Sequence, residues 1–108
     1  MIKVGIYRPA LTAAHHIVAA NSLQVADVLA RAILKKYGIR INDGDNGVFL
    51  PQNRLAARIS SSSAAVHSTL HTKKYYETVY QMLSQAYSEN DVRAILSEIR
   101  SELLAGGL

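Results

Sequence analysis

The four histidines are the residues of this chain with the clearest capacity for chemistry. They form an adjacent pair, His15 and His16, and an i,i+4 pair, His67 and His71. Residues four apart on a helix lie on one face with Cβ atoms about 5–6 Å apart, so His67 and His71 can offer two imidazoles to one metal ion. Adjacent residues of an extended segment point to opposite sides, so we expect one of His15 and His16 to bind metal while the other meets substrate.

Each of these signals also has a simpler explanation. A single histidine is more often a partly exposed or hydrogen-bonded residue than a ligand, and an isolated HxxxH pattern on a helix is seldom a metal site. Asn46 precedes Gly47, and Asn-Gly is an ordinary turn signal that requires no chemistry. The two histidine pairs taken together favour a functional site.

The composition limits the chemistry that is available. The 108 residues include no cysteine, which excludes a Cys-ligated zinc finger, an iron–sulfur centre and a thiol nucleophile. The length fits one small domain. No apolar run approaches the roughly 20 residues of a membrane span, and the first residues lack the layout of a secretory signal, so we expect no membrane partner.

Charge is unevenly distributed along the chain. The formal net charge is +4, but residues 1–74 carry ten basic and three acidic side chains, whereas residues 75–108 carry two basic and five acidic ones. A positive surface attracts phosphates at long range. The distribution therefore favours nucleic acid as a partner, although many small basic proteins bind none.

The first half of the chain is predicted to alternate short strands with one helix. Residues 1–7, 39–42 and 48–50 have the composition of short strands, the last two on either side of a tight loop. An amphipathic helix of about four turns is predicted between the first and second of these strands. Its apolar residues recur with a period of 3.6, Asn21 is its N-cap and Gly38 ends it. The two histidines of the first pair lie on an extended segment before this helix.

The second half is predicted to be helical. Residues 64–87 contain neither Gly nor Pro and predict one long helix that carries the second histidine pair. Ser88 with an acid three residues later predicts the cap of a last helix, whose apolar stripe covers residues 92–103 and which stops at Gly106-Gly107.

The order of these residues along the chain resembles that of a known family. The segments that carry the likeness are Ala14-His15-His16-Ile17-Val18, Asn42 with Asn46-Gly47-Val48-Phe49-Leu50-Pro51, His67-Ser68-Thr69-Leu70-His71-Thr72 and Tyr75-Tyr76. They resemble the AHH family of polymorphic-toxin nucleases, a branch of the HNH, or His-Me finger, superfamily. The resemblance implies a mainly helical α+β fold: a ββα-metal core with an inserted helix between the strands and additional C-terminal helices.

The resemblance also implies a role for each candidate residue. His16 corresponds to the general base, and His15, His67 and His71 correspond to ligands of one divalent metal ion. Asn46 corresponds to the family's middle polar residue, also catalytic, which either holds the base-bearing segment or reaches the metal. A neutral imidazole can take a proton from water near pH 7, and an ion held by three imidazoles keeps open positions for phosphate oxygens.

Five further residues are predicted to contact nucleic acid. Lys73 and Lys74 follow the second histidine pair, and Arg54 and Arg58 precede the predicted long helix, so all four can bind backbone phosphates. Tyr75 can touch a phosphate or stack on a base. A solvated surface charge is an equally simple explanation for each of the four cations.

The resulting prediction is a metal-dependent endonuclease that hydrolyses DNA with little sequence preference, with RNA as the alternative substrate. The expected cofactor is one divalent ion, Zn, Mg, Mn or Ni, with no small-molecule cofactor. The resemblance implies that residues 1–108 form a single antibacterial toxin domain, the C-terminal part of a larger protein. That protein would be secreted or injected into a target bacterial cell, act in its cytoplasm and be countered by a cognate immunity protein.

Two other interpretations remain open at this point. One is a noncatalytic nucleic-acid-binding module in which the histidines form a closed structural metal site. The other is a helical interaction domain with incidental histidines.

Overall fold

A two-stranded sheet and four helices make up residues 11–108, the part of the chain that the computed structural model describes. In chain order the elements are β1 (Thr12–His16), α1 (Val25–Lys36), β2 (Gly47–Pro51), α2 (Arg54–Ile59), α3 (Lys73–Leu83) and α4 (Glu89–Leu104), with 3-10 turns at Gly44–Asn46 and His67–Thr69. The mainly helical α+β fold is confirmed. The strand predicted at residues 1–7 lies outside the described residues.

The two strands are antiparallel, and α1 is inserted between them in sequence, as predicted. His15 pairs with Val48 and His16 with Gly47, so the double histidine ends β1 where β2 begins. The strand predicted at residues 39–42 is wrong, because this segment forms a turn and β1 supplies the partner of β2 instead.

Helix α1 begins later than predicted. Asn21 does not cap it, since the first helical residue is Val25 and no side chain caps the helix. The segment before α1 is held outside the helix by Arg31, whose guanidinium donates to the carbonyl oxygens of Ala19 and Ser22 at 2.9 and 2.6 Å. A helical conformation from Asn21 onward would break these bonds.

The single long helix predicted over residues 64–87 is also wrong. The chain makes a 3-10 turn at His67–Thr69 and begins α3 only after Thr72. The Thr72 hydroxyl oxygen accepts a hydrogen bond from the Tyr75 N–H at 3.2 Å, which caps α3. A capped N-terminus thus interrupts a run that contains no Gly or Pro.

Helix α4 joins the sheet to the rest of the core. Its predicted apolar stripe is confirmed and consists of Val92, Leu96, Ile99 and Leu103, all with 0% exposure. Arg100 on the same helix donates to the carbonyl oxygens of Gly47 and Gly44 at 3.2 and 3.0 Å. Helix α1 packs on α3, and α4 packs on α3 and β2. Within residues 11–108, no helix combines the length and apolar character that a membrane crossing requires.

Candidate metal and catalytic site

Three histidines from two distant segments converge beside the sheet. His15 comes from β1, whereas His67 and His71 come from the segment before α3. The ring centroids are 5.1 Å apart for His15 and His67, 4.9 Å for His67 and His71, and 6.2 Å for His15 and His71. The i,i+4 pair is therefore close in space, but through a 3-10 turn rather than the predicted α-helix.

His15 is hydrogen-bonded at both ring nitrogens. Its Nε2 lies 2.8 Å from the Tyr75 hydroxyl oxygen, and its Nδ1 lies 3.0 Å from Nδ1 of His67. The Tyr75 hydroxyl donates to the Ile17 carbonyl oxygen at 2.9 Å. Burial, followed by repulsion from His67 and then His71, lowers the pKa of His15 to about 3. His15 is therefore neutral at pH 7, the form in which an imidazole binds metal.

The chemistry of the three side chains fits a divalent ion, although their arrangement is that of a hydrogen-bonded cluster. Imidazole nitrogens suit zinc and nickel well. Burial is also the main cause of the lowered pKa of His67. Among residues 11–108, no group of three or more His, Cys, Asp or Glu side chains is arranged to hold a metal ion as it stands. Nδ1 of His15 and Nδ1 of His67 share one hydrogen bond, and a cation bound by both nitrogens would replace its proton.

His16 lies beside this cluster on the wall of the same cavity. Its Nε2 is 2.8 Å from Oδ1 of Asn42. Because an amide oxygen only accepts, Nε2 carries the proton and Nδ1 of the neutral ring keeps a lone pair. The cavity has a volume of about 300 Å³, and its lining includes all four histidines together with Asn21 and Ser22. His15 and His16 thus have different partners while bordering one cavity.

Asn46 is fully buried and binds backbone groups. Its Oδ1 accepts from the Val18 N–H at 2.8 Å, and its Nδ2 donates to the carbonyl oxygens of Val18 and Ile41 at 3.1 and 2.8 Å. Its backbone carbonyl accepts from the Ile17 N–H at 2.8 Å. The amide oxygen and one amide proton thus hold Val18, in the segment that follows His16, the other amide proton binds Ile41, and none of them reaches the histidine cluster.

Asp27 is a buried acid near this site that the sequence analysis missed. It is 1% exposed, and its Oδ2 has no hydrogen-bond partner. Burial raises the pKa of Asp27, while a hydrogen bond from Ser22 and the charges of Arg31 and His71 oppose that shift. Asp27 lies in the first turn of α1, where an acid ordinarily complements the helix dipole. Its burial could therefore not be predicted from the sequence.

Comparison with known proteins identifies the family of this chain. A family model described as a nuclease family of the HNH/ENDO VII superfamily with conserved AHH matches residues 1–104. The chain belongs to the AHH family. Its AHH tripeptide is Ala14-His15-His16, within β1. The resemblance found in the sequence is confirmed, and with it a nuclease activity in general. No curated protein and no solved structure gives a significant match.

The AHH domain exposes four of the residues predicted to bind nucleic acid. Lys73 and Lys74 lie in the first turn of α3, and Arg54 and Arg58 lie one turn apart on α2. The Lys73 ammonium is 4.0 Å from the Glu77 carboxylate. As far as the structure describes the chain, none of the four cations lines the cavity, so a phosphate that they bind lies outside it.

The fifth residue predicted to contact nucleic acid, Tyr75, is buried in the structure. It is 4% exposed, because α3 turns this side chain towards β1. Its hydroxyl is engaged with His15 and Ile17. The structure therefore presents Tyr75 to His15 and Ile17 rather than to the surface where a nucleic acid would bind.

Arg93 of the AHH domain is a second position that the sequence analysis missed. Its guanidinium donates to the carboxylates of Asp43, Asp45 and Glu89 at 3.2, 2.8 and 2.9 Å. The Asp43 carboxylate, followed by the other two, raises the pKa of Arg93. These bonds anchor the turn that contains Asn46 to α4. The i,i+4 spacing to Glu89 was visible in the sequence, whereas the contacts across about fifty positions were not.

Proposed function

We propose that this domain is a metal-dependent endonuclease that hydrolyses phosphodiester bonds of DNA with little sequence preference. The observation that carries the proposal is the position of His16, which keeps a lone pair on Nδ1 and borders the same cavity as His15, His67 and His71. One histidine with a free basic nitrogen beside three that can bind a cation provides a general base and a Lewis-acid site for phosphodiester hydrolysis.

His16 acts as the general base in this proposal. Oδ1 of Asn42 accepts a hydrogen bond from the Nε2–H of His16 at 2.8 Å, which leaves Nδ1 to take a proton from the attacking water. The water oxygen then bonds to phosphorus as the bond to the leaving oxygen breaks, and the leaving oxygen takes a proton from solvent. Asn46 supports His16 indirectly, because it fixes the backbone of Ile17 and Val18 that follows the base.

His15, His67 and His71 would hold the divalent ion. When bound, such an ion supplies Lewis-acid stabilisation of the negative charge that develops on phosphate oxygens. Three neutral ligands preserve the charge of the ion. The imidazole donors favour zinc or nickel, while magnesium and manganese are the other candidates.

The exposed cations are the proposed nucleic-acid contacts. These four side chains are exposed, do not line the cavity and can bind phosphates along a nucleic-acid backbone: Lys73, Lys74, Arg54 and Arg58. Phosphate contacts position the substrate without reading bases, which suits cleavage with little sequence preference.

The biological role is proposed from the family resemblance. The domain would act as an antibacterial toxin, as the C-terminal part of a larger protein delivered into the cytoplasm of a target cell. A cognate immunity protein with an acidic docking face would complement the net charge of +4.

The test is cleavage of supercoiled plasmid with Mg²⁺, Mn²⁺, Zn²⁺ or Ni²⁺ added singly, for the wild type and His16→Ala. The matched control is Gln85→Ala, an exposed position beyond the end of α3 opposite to His71. We expect the wild type and the control to nick and linearise plasmid, EDTA to stop both, and His16→Ala to lose about 10²–10⁴-fold in rate. Circular dichroism checks that each variant is folded.

The opposite outcome is equally informative. If the folded wild type binds a metal ion and DNA but cuts neither DNA nor RNA with any of these ions, the noncatalytic binding module replaces the nuclease mechanism. If His16→Ala cuts as fast as the wild type, the base is another residue.

A further inference from the structure

The hydrogen bonds of Tyr75 determine which nitrogen of His15 carries the proton. The Tyr75 hydroxyl oxygen is 2.9 Å from the Ile17 carbonyl oxygen and 2.8 Å from Nε2 of His15. A carbonyl oxygen cannot donate, so the single hydroxyl proton is committed to Ile17. Both bonds form together only if Nε2–H of His15 donates to the hydroxyl oxygen.

This arrangement leaves the lone pair of the neutral His15 ring on Nδ1. Nδ1 is the atom that faces His67, at 3.0 Å. In the opposite tautomer the lone pair would face Tyr75 and a proton would block the side that faces His67. Histidines that bind metal generally donate their other N–H to an oxygen acceptor, which fixes both the tautomer and the orientation of the ring.

We propose that Tyr75 is the positioning residue of His15, whose hydroxyl keeps Nδ1 unprotonated and directed at the space shared with His67, where a divalent ion binds. The part of this inference that concerns the ion rests on the proposed function. Tyr75 suits the task because it is 4% exposed, so water does not compete for its hydrogen bonds.

The tautomer can be measured without metal or substrate. Long-range ¹H–¹⁵N NMR of histidine-labelled, metal-free protein at pH 7.5 distinguishes a protonated Nε2 from a protonated Nδ1. We expect wild-type His15 to carry its proton on Nε2. Tyr75→Phe removes only the hydroxyl, and we expect the two tautomers of His15 to interconvert in that variant. Tyr80→Phe, a half-buried tyrosine on the same helix, is the matched control and should leave the His15 signals unchanged.

Metal affinity provides the second measurement. Calorimetric titration with Zn²⁺ alone and with Ni²⁺ alone should show affinity lowered by about 10–100-fold in Tyr75→Phe, as is usual when the oxygen partner of a ligand histidine is removed. Tyr80→Phe should bind both ions as the wild type does. Thermal unfolding of each variant establishes that it is folded.

The two hypotheses fail in different ways. A wild-type His15 protonated on Nδ1 overturns the role of Tyr75, and so does a Tyr75→Phe variant that keeps both the tautomer and the affinity. A wild type that binds neither ion refutes the proposed metal site, while the tautomer in metal-free protein still decides the role of Tyr75. If Tyr75→Phe does not fold, the wild-type tautomer remains the deciding observation.

Discussion

At the residue scale, two asparagines four positions apart have opposite surroundings. Asn46 is fully buried, and its amide is bonded to the backbone of Val18 and Ile41. Asn42 is exposed, and its amide oxygen accepts from His16. We therefore expect the first to act on stability and the second on catalysis.

Asn46→Ala should lower the free energy of unfolding by about 3 kcal/mol or more, because it leaves two carbonyl oxygens and one N–H buried without partners. Asn42→Ala is the matched control and should lower it by less than about 0.5 kcal/mol while slowing plasmid cleavage. Urea denaturation followed by circular dichroism measures both values. Equal losses of stability in the two variants would show that the buried hydrogen bonds of the Asn46 side chain stabilise the fold no more than the exposed one of Asn42.

The histidines could be predicted as a site because their residue type and spacing carry the signal. The supporting residues could not, because their roles depend on contacts that no local pattern encodes. Tyr75 meets His15 across 60 positions, and Asp27 lies in a helical turn that looks ordinary in sequence. The role of Asn46 stayed open for the same reason, since its partner Val18 lies 28 positions away.

At the element scale, capping residues and glycines predicted the ends of helices correctly, but they did not predict that the long helix is interrupted. The cap at Ser88 is confirmed, since its hydroxyl oxygen accepts from the Asp91 N–H at 3.1 Å. The stops at Gly38 and Gly106 are confirmed as well, with φ of +74° and +86°. The break at Thr72 was missed, because the surrounding sequence has neither Gly nor Pro and the turn there makes contacts that are distant in sequence, such as that between His67 and His15 of β1.

The two helix-ending glycines form a matched pair for a test of element ends. Both have positive φ, so the backbone strain of an alanine lowers the free energy of unfolding by about 1–2 kcal/mol at either position. A Cβ at Gly38 would meet nothing within 4 Å, whereas at Gly106 it would collide with the carbonyl oxygen of Ser63. We expect Gly106→Ala to lose about 1–3 kcal/mol more than Gly38→Ala in urea denaturation. Equal losses would mean that the segment at Ser63 moves away without cost.

At the scale of the whole molecule, the buried histidines make stability depend on pH. The pKa of His15 is about 3 in the fold, against the ordinary 6.5 that its unfolded form regains. Below pH 6.5, His15 binds a proton in the unfolded chain but not in the folded chain. The free energy of unfolding therefore falls as pH falls towards 3. The slope from His15 alone approaches about 1.4 kcal/mol per pH unit. His67, whose pKa is also lowered, acts in the same direction.

The measurement is urea denaturation of EDTA-treated protein at pH 7.5, 6 and 5, for the wild type and His15→Gln. We expect the wild type to lose stability steadily over this range and the variant, which lacks the titrating ring, to lose less. A wild-type stability that stays constant from pH 7.5 to 5 would contradict a neutral, buried His15.

Helix α4 carries none of the histidines, yet it holds both sides of the site. Arg100 binds the turn and the first residue of β2, opposite His16. The carbonyl of Leu103 accepts from the Ala65 N–H at 2.7 Å, two residues before His67. Helix α4 therefore contributes to the spacing between His16 on the sheet and the pair His67 and His71. We expect a small molecule that separates α4 from the sheet to inhibit the nuclease allosterically, without competing with nucleic acid for the histidines.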